Sequence, residues 1–227
     1  RVSRALHAAG FKSTEVIKEV AEVFPVSGGG HEQASAMRFK EALAEVGAKR
    51  FIFLHTDYFL CGPVDTARIR ELDALLQRDD IGHIRLVGVP PPSLDFSDDA
   101  TLGVLAKTEK YRVSLQAGLW KRRVFEQLLL PAFGPIELES EGSKNSAQFK
   151  ERFLSAKGGC PALPYVHGIS KGVWLYDAVK FLECEGYRVP PGRKKEILWD
   201  YLSRILYLNR MKYRLKLLRA SVAGANL

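Results

Sequence analysis

Asp57 follows a short apolar run, Phe51-Ile52-Phe53-Leu54, with His55 and Thr56 between. A carboxylate placed just beyond a buried strand projects from the sheet edge where open α/β sheets bind ligands. Such a group can hold a divalent cation, and a cation there neutralises the charge that a departing diphosphate develops. Mg2+ and Mn2+ favour oxygen ligands and retain several waters, so one or two carboxylates suffice. His55 offers a nitrogen ligand beside Asp57, or is simply packed or hydrogen-bonded as histidines at strand ends commonly are. An acid in this position also serves simply to open a turn, here toward Pro63.

A second set of acids lies downstream. Glu137 and Glu139 are separated by one residue, which in an extended segment turns both to one side, opposite Ile136 and Leu138. One carboxylate of such a pair is suited to take a proton from an attacking hydroxyl. A solvated acidic strand is the alternative. Tyr111 to Gln116 alternates polar and apolar residues, so a strand there presents Arg112, Ser114 and Gln116 on one face, able to hold sugar hydroxyls or a phosphate. Trp120 can stack on a sugar ring or fill a core. Lys171, in a turn between Gly168 and Gly172, can reach a diphosphate. The run Gly28-Gly29-Gly30 lacks a complete phosphate-loop pattern and reads as a linker.

These side chains need elements to position them. Apolar spacing predicts helices after Ser13-Thr14 and over about 31–46, the second with Ala34, Met37, Leu43 and Val46 inward. Phe51 to Leu54 lacks alternation, as expected of a strand buried on both faces in a parallel sheet. Asp65 is placed to cap a helix reaching about Arg78, with Ile69, Leu72, Leu75 and Leu76 as its buried stripe. Ile84 to Val89 reads as the next strand, stopped by Pro90-Pro91-Pro92, and 93–110 as a polar loop. Helices are expected at about 121–130, 143–156 and 173–185. Helices alternating with buried strands give an α/β class.

Four segments in order resemble a family of bacterial GT-A-like glycosyltransferases. They are Thr56-Asp57-Tyr58-Phe59-Leu60 with Pro63-Val64-Asp65, Tyr111 to Trp120, Pro135-Ile136-Glu137-Leu138-Glu139 with Gly142-Ser143, and Gly168 to Trp174. The resemblance covers about 30–192. It implies a Rossmann-like mixed sheet flanked by helices and transfer of a sugar from a nucleotide-sugar donor. It also implies a glycan or lipid-linked acceptor and surface-polysaccharide synthesis. Asp57 and His55 would be the Mn2+ or Mg2+ site, Glu139 and Glu137 the catalytic pair, and Arg112, Ser114, Gln116, Trp120 and Lys171 the substrate contacts. The family carries acids where His55 or Thr56 stands, and residues 1–30 show no convincing first nucleotide-binding strand. A non-catalytic relative acting as a scaffold at a membrane is the alternative.

The net charge of +8 is concentrated at one end. Residues 193–227 hold nine basic and two acidic side chains, whereas 1–192 are nearly neutral. Ile197, Leu198, Tyr201, Leu202, Ile205, Leu208, Met211, Leu215 and Leu218 recur there at helical spacing, giving an amphipathic helix able to meet an anionic membrane surface or, alternatively, to dock on the domain with its basic face solvated. The chain thus divides into 1–192, the catalytic-type domain, and 193–227, a basic tail. Aromatic residues spaced like packing residues argue against nucleic acid. Cys61, Cys160 and Cys184 match neither a metal site nor a disulfide framework. Without a membrane-spanning run or an opening signal peptide, the expected location is cytoplasmic, peripheral on the inner membrane face.

Overall fold

The computed structural model describes residues 35–45, 47–158 and 162–207. Helix α1 (Ser35–Glu45) leads into strand β1 (Arg50–Phe53), and a tight turn then delivers β2 (Tyr58–Leu60). Helix α2 (Thr66–Leu76) starts where Asp65 accepts a hydrogen bond from the Arg68 amide at 2.9 Å. That bond satisfies one of the free amides at the helix start, as expected of a capping aspartate. Leu72 and Leu76 are buried beneath α2, with Ile69 and Leu75 packed around them.

Strands β3 (Ile81–Arg85), β4 (Leu94–Asp95), β5 (Leu102–Leu105) and β6 (Gly118–Lys121) follow. Next come helices α3 (Arg122–Leu128) and α4 (Pro135–Asn145), then strand β7 (Arg152–Ala156). The six-stranded sheet has the order β1-β6-β3-β7-β5-β4. Among its pairings β3 with β7 is parallel and the others are antiparallel. The protein is therefore α/β with a mixed sheet flanked by helices.

The period of two along each strand divides the core between the sheet's faces. Trp120 and Phe153 meet α1, α3 and α4 on one face, with Phe51 and Phe53 packed against them. Their sequence neighbours Leu119 and Leu154 meet α2 on the other face. A third cluster, of Phe59, Trp174, Val179, Leu182 and Val189, lies beside the sheet. It joins β2 and β8 (Tyr165–His167), the hairpin of β9 (Ile169–Ser170) and β10 (Val173–Trp174), and helix α5 (Tyr176–Cys184).

Several expectations are corrected. The run at Phe51 forms an edge strand paired antiparallel to β6, and Ile52 is 40% exposed rather than buried on both faces. The loop expected at 93–110 contains β5, which is integral to the sheet through β7. Residues 152–156 are strand β7, not the end of a helix, because Phe153 and Leu154 serve opposite sheet faces. Tyr111 to Gln116 forms bends rather than a strand, entered through Tyr111 at φ 60°.

The segment Ile136 to Glu139, read as extended, lies in helix α4, with Gly134 before it and proline in the first turn. Proline suits that position because its missing N–H is unneeded there. The helix expected from residue 173 begins at Tyr176, since Val173 and Trp174 belong to β10. The basic tail is helical over 198–207, and Lys194 to Glu196 first run alongside Trp174. The expectations for Ser13-Thr14, Gly28 to Ala34, Val46 and 208–227 lie outside the described residues.

Candidate functional site

At one end of the sheet the carboxyl ends of β1 and β3 face the segment leading into β6. This end opens into a cleft of about 520 Å³. Its lining includes His55 and Asp57 from the β1–β2 turn, Ser114 and Gln116 from the bends before β6, Glu139 from α4, and His167 and Lys171.

Asp57 is buried, and both its carboxylate oxygens are engaged. Oδ1 lies 2.8 Å from His55 Nδ1, while Oδ2 lies 3.2 Å from His167 Nε2 and accepts from the Ile169 amide at 3.0 Å. Burial alone would raise the carboxyl pKa, but the hydrogen bonds from His167 and His55 override it and hold Asp57 far below the usual range. Asp57 is an ionised clamp: each imidazole, fixed through one nitrogen, keeps its other nitrogen for a ligand. Tyr58 stacks on Tyr165 at 4.3 Å beside it, and burial keeps the Tyr58 phenol protonated.

The backbone around Asp57 is equally tight. Its carbonyl accepts from the Gly168 amide at 2.7 Å, and a Cβ at residue 168 would stand 2.7 Å from that oxygen and 2.5 Å from Phe59 Cε2. Only glycine allows this approach. Gly168→Ala is expected to destabilise the fold by about 1–3 kcal/mol, the usual range for overpacking. Urea unfolding checks this, and an unchanged midpoint would refute the close contact.

Lys171 and Gly172 are the two turn residues of the β9–β10 hairpin, both at positive φ, 49° and 79°. That is the two-residue turn whose twist matches its strands, and it sets Lys171 at the cleft wall. Across the cleft, Glu139 Oε1 accepts from the Leu115 amide at 2.8 Å and the Ser114 hydroxyl at 3.1 Å. Both bonds fall on one oxygen, which leaves Oε2 for a ligand hydroxyl. Ser143, one turn along α4, accepts from the Val113 amide at 3.0 Å and ties the helix to the same segment. Gln116 belongs to the same wall, but its Oε1 is buried and has no hydrogen-bond partner among the described residues.

Of the residues expected at the site, Asp57, His55, Ser114, Gln116, Glu139 and Lys171 converge. Three do not. Trp120 is fully buried, stacked on His83 at 3.6 Å, because β6 turns it into the core. Arg112 is buried over the Phe153 ring and donates to the Leu105 and Glu151 carbonyls. Glu137 is exposed on α4, where helical rotation separates it from Glu139 instead of pairing the two.

The Mg2+ or Mn2+ site assigned to Asp57 and His55 does not fit the donor set. A hard cation wants several oxygens, whereas here one carboxylate has both oxygens occupied by N–H donors and His55 Nδ1 is turned onto it. Among the described residues no cluster of three or more His, Cys, Asp or Glu is arranged to hold a metal.

Sequence reasoning missed His167, which stands 110 residues beyond Asp57 in the chain but pairs with it through β2–β8. Its signal was a histidine directly before the glycine of a segment already singled out. Arg85 was missed as well. It is fully buried, donating to the Tyr111 carbonyl at 3.2 Å and the Pro90 carbonyl, and so it braces two stretches of the cleft wall. Comparison with known proteins yields no match to a family model, a curated protein or a solved structure.

Proposed function

We propose that the chain is a GT-A-like glycosyltransferase that moves a sugar from a nucleoside-diphosphate donor to a hydroxyl acceptor of glycan or lipid-linked type. The observation that carries this reading is the placement of Glu139, held through one oxygen, across a single cleft from the Asp57 clamp and Lys171. The cleft also draws on each of the four ordered sequence segments. In the reaction Glu139 Oε2 takes the proton from the acceptor hydroxyl. The acceptor oxygen forms the new bond to the anomeric carbon, and the nucleoside diphosphate leaves with the electron pair. Lys171 meets the charge developing on that diphosphate.

The test is binding and turnover over a panel of nucleotide sugars with glycan and lipid-linked acceptors. One donor is expected to bind and be turned over, and Lys171→Ala to weaken its affinity about tenfold, a loss of about 1.4 kcal/mol. A folded protein that binds no nucleotide sugar and no nucleoside diphosphate would overturn the reading. A second reading, a sugar-nucleotide-binding module without turnover, is favoured by the commitment of both Asp57 oxygens to imidazoles. Donor binding with neither transfer nor hydrolysis would select it.

A further inference from the structure

Among the described residues, the helix at 198–207 touches α5 along one edge. Tyr201 packs against Tyr176 with ring centroids 5.0 Å apart, and Arg204 pairs with Glu196 at 2.8 Å and Asp177 at 3.2 Å. Tyr201, Arg204 and Ile205 are half-buried there, and the rest of the helix faces solvent. Leu198, Leu202 and Leu206 recur at four-residue steps and make one stripe, with Trp199 beside it. All four are exposed, Trp199 at 75% and Leu206 at 69%, and Ile197 and Tyr207 add exposed apolar surface at either end. A stripe of this composition is costly to leave in water and marks a contact surface.

We infer that this stripe is a membrane-docking face that lies in the interface of an anionic bilayer without crossing it. Two observations choose that occupant. The segment that carries the stripe also carries nine basic against two acidic residues over 193–227, the charge that anionic headgroups attract. The most exposed large side chain on the stripe is a tryptophan, whose amphipathic ring prefers the headgroup level. Among the described residues no helix is long and apolar enough to span a bilayer, so the helix lies along the surface. This inference stands apart from the reading of the cleft, since none of its residues lines that cavity.

The chain contains its own reporter. Of its three tryptophans, Trp120 and Trp174 are fully buried and Trp199 is exposed, so a change in solvent-exposed emission belongs to Trp199. With the full chain, vesicles of mixed phosphatidylglycerol and phosphatidylcholine are expected to shift that emission to the blue. Phosphatidylcholine vesicles alone should not, and high salt should weaken the response. The exposed triple variant Trp199→Ser, Leu202→Ser, Leu206→Ser should lose at least tenfold in vesicle partitioning, measured by flotation, with an unchanged far-UV spectrum. No blue shift on anionic vesicles would overturn the proposal, as would undiminished flotation of the triple variant, which would leave charge alone as the cause. A blue shift that grows with protein concentration without lipid would assign the stripe to a second copy of the chain and also overturn it.

Discussion

Glu139→Gln is expected to lower kcat by about 10²- to 10⁴-fold, the range for losing a positioned general base, while leaving the fold intact. Glutamine has nearly the same shape, and its carbonyl oxygen can still accept from the Leu115 amide and the Ser114 hydroxyl as Oε1 does now. The bonds that hold 113–115 to α4 therefore survive, including the Ser143 contact with the Val113 amide. What disappears is a carboxylate able to take a proton. Donor affinity, which the proposed function places with Lys171 on the opposite wall, should change little. Steady-state transfer kinetics together with thermal unfolding separate the two effects. A variant that keeps its kcat would remove Glu139 as the base and point to His55 or His167, whose unclamped nitrogens share the cleft. A variant with a strongly lowered melting temperature would show that the carboxylate charge, rather than its shape, holds the segment in place.

The parts of this site that sequence revealed are those fixed by local chemistry. Asp65 caps α2 because an aspartate three residues before a free amide does so in almost any context. The α2 stripe of Leu72 and Leu76 follows from helical spacing alone. Asp57 was legible as a strand-end acid, but its partners were not. His167 reaches it only because β8 pairs with β2, a contact between distant segments that no local pattern records.

The same limit explains the sheet. Phe51 to Phe53 looked like a central strand, yet its order beside β6 depends on which segments pair, and that choice leaves β1 at an edge. The α4 segment shows a different failure. Ile136 and Leu138 alternate with Glu137 and Glu139, which reads as a strand. In the helix Leu138 enters the core while Ile136 is 76% exposed. Proline after glycine was the competing signal for a helix start, and it outweighed the two-residue period. Ser114 and Gln116 reach the cleft through bends rather than on a strand face, and the same bends send Arg112 into the core.

His83 should dominate the acid stability of the protein. Its ring is fully buried between Trp120, stacked at 3.6 Å, and Phe153, with Nδ1 donating to the Leu119 carbonyl at 2.9 Å. That bond fixes the neutral tautomer, and Nε2 is left buried without a donor or acceptor. Charging the ring would place a cation in apolar surroundings near two buried guanidiniums. Burial first, and then Arg85 and Arg112, push its pKa from 6.5 down to about 3, against the upward pull of the Leu119 carbonyl.

In the unfolded chain the imidazole takes its proton near pH 6.5, whereas the folded protein refuses it until about pH 3. Across that window the unfolded state binds one more proton, so stability falls as pH falls, by about 1.4 kcal/mol for each pH unit. At neutral pH both states are uncharged at this site and the cost vanishes. Asp57 acts in a different range, because its depressed carboxyl loses stabilising power only as pH drops below its ordinary value of 3.8. Other ion-paired carboxyls, Glu151 and Glu196 among them, are also held below their ordinary values and contribute near pH 4. The histidine is therefore isolated by the difference between the unmodified protein and His83→Phe in urea unfolding at pH 7, 6, 5 and 4. His83→Phe keeps an aromatic ring against Trp120 but cannot be protonated, and its stability should decline less steeply than that of the unmodified protein by about 1.4 kcal/mol per pH unit below pH 6. Parallel curves for the two proteins would mean that the folded state accommodates the imidazolium, against the packing that surrounds it.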